Sequence, residues 1–234
     1  MIKLIAFDLD DTLAPVGEAI PPGALGTLRL LEDGGVRLAV CSGKPVYYLC
    51  GFARQAGLRR AALVGENGAV IQLGTALPPA RFDVLRPSPA ARRGMDELRS
   101  AIEAALPDIW FQPNETCLTP FPVSPREHAV IGELLRKHPD ALAALDVYHH
   151  LDSFDIVPKG VDKGVGLARL GAMLGVTAAE TAAVGNGEND YPMFDYAALS
   201  VGVRVPDESR VDKNFDSLPA ALSYLLPLVK GEGA

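Results

Sequence analysis

The sequence predicts an α/β protein: a doubly wound parallel sheet with an α+β layer inserted into it. Three observations predict this. Short apolar runs without polar alternation recur through residues 4–73 and again through 181–203, and such runs read as strands buried on both faces. Helical patterns separate them, which is the alternation that builds a parallel sheet. Between residues 82 and 157 the strands shorten and the alternation lapses, so that stretch is expected to form a layer of its own.

The first run, Lys3 to Phe7, stops at Asp8-Leu9-Asp10-Asp11-Thr12-Leu13. Asp8 and Asp10 are two residues apart, so on a strand or its extension they project to the same side and can share a ligand. Two such carboxylates repel unless a cation lies between them. An acidic turn that merely ends a strand has the same composition, and the remainder of the chain must decide between the two.

After a loop at residues 15–22, Gly23 to Asp33 carries Leu25, Leu28, Leu30 and Leu31 at helical spacing and ends at Gly34-Gly35. Val36 to Cys41 is a second buried strand, and it stops at Ser42-Gly43-Lys44-Pro45. A strand, a helix and a second parallel strand form a right-handed unit, which places both polar loops on one edge of the sheet. Tyr47 to Gly57 reads as a helix and Ala61 to Val64 as a third strand, with Asn67-Gly68 predicting a tight turn into Ala69 to Leu73. Pro78-Pro79 marks a boundary. Residues 1–81 and 158–234 are accordingly assigned to the core and 82–157 to the insert, with Pro78-Pro79 and Pro158 to Gly160 as hinges.

Within the insert, Phe82 to Leu85 is a candidate strand, and Ala90 to Ala105 a helix with Met95, Leu98, Ile102 and Leu106 on one face. Strands are expected at Ile109 to Phe111 and Thr116 to Thr119. A second helix should span Pro125 to Lys137, and a strand pair Leu145 to His149 with Phe154 to Val157. The α/β pattern then resumes with a helix from Lys163, a strand at Thr181 to Val184 and the loop Gly185-Asn186-Gly187-Glu188-Asn189-Asp190. A strand at Ala198 to Val203 and a helix at Leu218 to Val229 complete the core. The stretch Gly231 to Ala234 is expected to fray.

Composition narrows the function classes. Over 234 residues, 48% are hydrophobic and 22% charged, and no apolar run approaches a membrane span. The net charge of −7 and the dispersed basic residues argue against a nucleic-acid partner. Three cysteines without a Cys-x-x-Cys pair fit a reducing compartment, and the first strand begins without a signal-like segment, so a cytoplasmic protein is expected. His128, His138, His149 and His150 lie outside the core-strand loops; as a strand-end pair, His149-His150 could still face the crevice from the insert.

Four polar loops follow core strands or open a core helix: Asp8 to Thr12, Ser42 to Lys44, the turn before Lys163, and Gly185 to Asp190. In an open parallel sheet such loops converge on one crevice at the carboxyl ends of the strands. Together they offer carboxylates, a hydroxyl, an amide, lysines and glycine-exposed N–H groups. That inventory suits Mg²⁺, through hard oxygen ligands, and a phosphoryl group, through positive donors.

In order and spacing, these four motifs resemble those of the haloacid dehalogenase-like (HAD) hydrolases, whose core is Rossmann-like. The long insert, Asn67-Gly68-Ala69 and Gly160-Val161-Asp162-Lys163-Gly164 resemble the Cof-like phosphatase branch, which includes phosphoglycolate and sugar-phosphate phosphatases. The resemblance implies that Asp8 is the nucleophile forming an aspartyl-phosphate and that Asp10 is the general acid and base. It implies that Ser42 and Lys163 stabilise the phosphoryl oxygens, and that Mg²⁺ is held by Asp8, Asp10, Asn186 and Asp190. Thr12, Gly43, Lys44, Asn67 and Asn189 are then candidates to contact substrate. The expected partner is a small phosphorylated metabolite, with neither nucleic acid nor membrane, and the protein a monomer or homodimer whose insert forms a cap. The alternatives are a phosphomutase of the same chemistry and a non-catalytic phosphate-binding or phospho-acceptor protein.

One position departs from the family pattern. Asn186 stands where an Asp is usual, so an amide oxygen replaces a charged ligand and the cation should be held more weakly.

Overall fold

The computed structural model describes residues 1–230, and the expectation for Gly231 to Ala234 lies outside the described residues. The strands of the core are β1 (Leu4–Asp8), β2 (Arg37–Cys41), β3 (Ala62–Gly65), β4 (Val70–Leu73), β5 (Arg81–Val84), β10 (Thr181–Gly185), β11 (Leu199–Val203) and β12 (Lys213–Phe215). Among the described residues they form an eight-stranded sheet in the order β12-β11-β10-β1-β2-β3-β4-β5. From β12 to β3 every pairing is parallel, whereas β4 and β5 are joined antiparallel.

The apolar runs lack alternation because both sheet faces are covered. On β1, Ile5 and Phe7 face one core, shared with α1 (Pro22–Asp33), α2 (Val46–Gln55) and α8 (Leu218–Lys230). Leu4 and Ala6 face the other core, shared with Leu167 and Leu170 of α6 (Lys163–Leu174) and Met193 and Phe194 of α7 (Tyr191–Tyr196). The order reverses at β1: the chain steps outward through β2 and β3 on one side and returns through β10 and β11 on the other. A ligand crevice is expected at such a switch point.

The insert holds a third core, built from Leu98 and Ile102 of α3 (Pro89–Ala105), Ile131 and Leu135 of α4 (Pro125–Lys137), and Phe154 and Ile156 of β9 (Phe154–Pro158). Ser88 and Ser124 cap α3 and α4 through the Ala91 and Glu127 amides. A short helix, α5 (Pro139–Leu142), precedes β8 (Leu145–His149), which pairs antiparallel with β9. A second ribbon, β6 (Trp110–Phe111) with β7 (Pro120–Phe121), is joined to it where Leu118 and Ile156 exchange backbone hydrogen bonds of 2.9 Å.

Several expectations need correction. Phe82 to Leu85, assigned to the insert, instead supplies β5 at the edge of the core sheet, so the crossing into the insert falls after Val84 and not at residue 82. Pro78-Pro79 therefore lies within the core and cannot hinge the insert. No regular strand spans Thr116 to Thr119, because the Thr116 amide is drawn to the Glu66 carboxylate and is lost to a ladder. The Asn-Gly turn is wider than a two-residue hairpin: Glu66, Asn67 and Gly68 have φ of 52°, 53° and 102°. Gly68 is required there because a side chain would collide with the Asp162 carbonyl. The pattern also missed β12, a three-residue edge strand with only one apolar residue, and the short α5 and α7.

Candidate active site

The loops after β1, β2 and β10 and the start of α6 meet at one cavity of about 970 Å³, closed from the opposite side by the insert. Asp8, Asp10, Ser42, Gly43, Lys44, Lys163, Asn186 and Asn189 all line it. Residues separated by 155 positions thus share one wall.

Lys163 is the hub. It opens α6 and is 1% exposed, with Nζ 2.7 Å from Asp8 Oδ1 and 2.6 Å from Asp190 Oδ1. Asp190 Oδ2 accepts the Asn186 and Gly187 amides at 2.9 and 3.1 Å. Both oxygens of Asp190 are occupied and the residue is fully buried. Asp190 is thus not available as the cation ligand expected from the sequence; it aims Lys163 and fixes the Asn186 loop. Although burial disfavours its charge, the carboxylates of Asp190 and Asp8 hold the Lys163 ammonium above its usual range.

One lysine serves two buried carboxylates, which leaves negative charge uncompensated. Burial, reinforced by Asp190 and opposed by Lys163, pushes the Asp8 carboxyl up to about 7. Burial also raises Asp10, which lies 3.8 Å from Lys44 Nζ. Lys44 in turn stands 5.3 Å over the Phe121 ring from the insert. Ser42 Oγ accepts the Lys44 amide at 3.1 Å, leaving its own proton free to donate.

The donor set fits a hard divalent cation. Oδ2 of Asp8 and the amide oxygen of Asn186 are hard oxygen donors beside a carboxylate pair short of positive charge. Among the described residues no group of three or more His, Cys, Asp or Glu side chains is arranged for a metal.

Two candidates for substrate contact sit behind the cavity wall instead. Thr12 is 3% exposed and donates to Asn186 Oδ1 at 3.2 Å. Asn67 is 2% exposed and donates to Asp155 Oδ2 at 2.8 Å. Sequence reasoning missed Asp155, a buried carboxylate of β9 that also accepts from Thr119 at 2.8 Å and pairs with His150 at 3.2 Å. It missed Glu66 too, which accepts from the Glu115 amide at 2.9 Å and from the Thr116 amide at 2.7 Å. An acid inside a turn that otherwise invites polar residues was the only local signal for Glu66. Gly43 packs so closely on Asp155 that a Cβ would come within 2.6 Å of its Oδ2, so any side chain there would push the insert away.

The pattern of the haloacid dehalogenase-like hydrolase family matches residues 5–77 and 128–209. The chain belongs to that family. The match spans all four polar loops and leaves out much of the insert. A phosphoglycolate phosphatase of Methanoculleus marisnigri is 29% identical over 214 residues, covering 87% of this chain and 85% of that protein. A phosphoglycolate phosphatase of Metallosphaera sedula is 29% identical over 209 residues, covering 88% and 87%. Among solved structures, TM0651 from Thermotoga maritima superposes with a TM-score of 0.77 at 19% identity, covering 97% of each chain. The HAD subclass IIB sugar phosphatase BT4131 superposes at 0.73 with 17% identity, covering 95% of this chain and 98% of that one. Fold is thus shared with proteins whose side chains differ at most positions. No helix among the described residues is long and apolar enough to cross a membrane.

Proposed function

We propose that this HAD-like hydrolase is a Mg²⁺-dependent phosphatase acting on a small phosphorylated metabolite, phosphoglycolate or a sugar phosphate, through an aspartyl-phosphate at Asp8. The observation that carries the reading is the buried Asp8–Lys163–Asp190 chain, open to a cavity beside Asp10. A carboxylate attacks a phosphate dianion poorly because the two repel. Lys163, locked by Asp190, places a fixed positive charge at the nucleophile. Mg²⁺, held by Asp8, the Asp10 carbonyl and Asn186, would supply the remaining neutralisation.

The residues then divide the work. Asp8 attacks phosphorus as the ester oxygen leaves with a proton from Asp10, whose raised pKa suits a proton donor. Ser42 donates to a phosphoryl oxygen, and Lys163 balances its growing charge. Asp10 next takes a proton from the water that attacks phosphorus; the Asp8–phosphorus bond breaks, inorganic phosphate is released, Asp8 returns as the carboxylate and Asp10 as the acid. The layer between Leu85 and Asp162 serves as the cap: it covers the reacting carboxylates and contributes Gln112, Thr119, Phe121 and His150 to the cavity, where the metabolite is selected.

The names carried by the relatives and by the subclass IIB neighbour support the substrate class. Phosphate release from a panel of phosphomonoesters, with Mg²⁺ and then with EDTA, tests the reading. Mg²⁺-dependent release into solution is expected. Transfer between substrate positions without release would make the protein a mutase, and no turnover with any divalent metal would make it a binding protein.

A further inference from the structure

The catalytic scheme leaves unused a cap-side pair that faces the nucleophile. His150 lines the cavity at the end of the β8–β9 ribbon, and its Nε2 lies 3.2 Å from Asp155 Oδ2. Hydrogen-bond directions around Asp155 favour its charged form. Gln112 Nε2 donates to Asn114 Oδ1, so the amide nitrogen of Asn114 faces Thr119 and donates to its oxygen. The Thr119 proton is therefore committed to Asp155 Oδ1, at 2.8 Å. Asn67 donates to the other oxygen. Donors on both oxygens favour the ionised form of the acid, and a buried carboxylate is costly without a cation beside it. The nearest cation in reach is the His150 imidazolium. With Nε2 bound to Asp155, its second N–H, at Nδ1, has no protein acceptor among the described residues and is left for the cavity that His150 lines.

We infer that His150, oriented by Asp155, is a specificity residue that binds a second anionic group, a carboxylate, on the phosphomonoester at the end away from phosphorus. The inference deepens the phosphatase reading and rests on it for the orientation of the substrate. Lys163 is bound to Asp8 and Asp190 and Lys44 stands near Asp10, so on the cap side of the cavity the basic side chains are His149 and His150, and of these His150 is the one paired with Asp155. The groups that act on His150 are Asp155 and Asp152 from its own ribbon and Lys163 from α6, while His128 of α4 meets only its carbonyl oxygen. The hydrogen bond His150 makes to Asp155, opposed by burial, holds the imidazole above its usual range.

The test compares phosphoglycolate with ethyl phosphate, the same ester without its carboxylate. Calorimetric binding to the Asp8→Asn variant gives affinity without turnover, and phosphate release by the unaltered enzyme gives kcat/KM. A charge-assisted hydrogen bond should favour phosphoglycolate by about tenfold or more in both readouts. His150→Gln, which keeps a donor for Asp155, should remove that preference mainly through KM. In the unaltered enzyme the preference should fade as pH rises past the usual histidine range. If His150→Gln does not fold, this pH dependence decides alone. A preference that survives in His150→Gln, or no preference and no pH dependence in the unaltered protein, overturns the inference. No release from any ester, with the binding preference intact, overturns the phosphatase reading and leaves this one standing.

Discussion

Asn186 is where a single residue sets the strength of the site. Its side chain is held by the Thr12 hydroxyl and its amide by Asp190, so it is well placed but uncharged. Asn186→Asp adds the missing charge, and the Mg²⁺ concentration for half-maximal phosphate release should fall; an unchanged requirement would remove position 186 from the cation's surroundings. Lys163 carries the opposite risk. Lys163→Met strands Asp8 and Asp190 as buried acids without a partner, and urea unfolding should show a loss of about 3–5 kcal/mol. A variant as stable as the parent would mean that the carboxylates are neutral in the folded protein. The His150–Asp155 pair makes the stability depend on pH. His150 is raised on folding, so its contribution is complete below the unfolded value of about 6.5 and is lost as pH rises through the folded one. Asp155 is lowered by donors from His150, Asn67 and Thr119, which outweigh burial, so its contribution is complete above about 3.9 and lost as pH falls. Unfolding of the parent relative to His150→Gln should therefore show the largest difference between about pH 4 and 6.5, shrinking on both sides.

At the scale of elements, the cap is tied to the core through a few turns. Glu66, in left-handed backbone between β3 and β4, collects the Glu115 and Thr116 amides and the Thr116 hydroxyl of the cap. Gln112 reaches back to the Gly43 carbonyl at 2.9 Å. Glu66→Ala leaves three buried or half-buried donors unpaired and should cost about 1–3 kcal/mol. Hydrogen exchange should rise at Glu115 and Thr116 while α3 and α4 keep their protection; unchanged exchange would show that the loop is held elsewhere. The backbone strain at Glu66 and Asn67 serves this tie, because it turns two adjacent side chains toward the cap.

The whole molecule explains what the sequence could and could not show. The parallel core was legible because each strand is buried on both faces by α1, α2 and α8 on one side and α6 and α7 on the other. That burial writes unbroken apolar runs. Asp8, Asp10, Ser42, Lys44, Lys163 and Asn186 were legible as a cluster because strand order alone brings their loops to one edge. What stayed hidden depends on pairing across the two layers. Asp155 reads as one polar residue in a short strand, and only the approach of the cap to Gly43 and Asn67 makes it a buried acid. Phe82 to Leu85 reads as a cap strand because nothing local distinguishes it from an edge strand of the core. Thr12 and Asn67 carry the right chemistry for substrate, yet their side chains are spent holding Asn186 and Asp155. The same architecture places the reacting carboxylates under a cap joined at Leu85 to Ser88 and at Pro158 to Asp162, so any opening must break the Asn67–Asp155 and Gln112–Gly43 bonds.

The central claim is that Asp8 forms and breaks the bond to phosphorus. It is tested most directly by phosphate release from phosphoglycolate and p-nitrophenyl phosphate, with Mg²⁺, by the parent and by Asp8→Asn. The variant keeps the shape and can still accept from Lys163, but it lacks the nucleophilic carboxylate, and its kcat should fall by about a thousandfold or more on both esters. A variant that retains activity within a few fold of the parent would contradict the account.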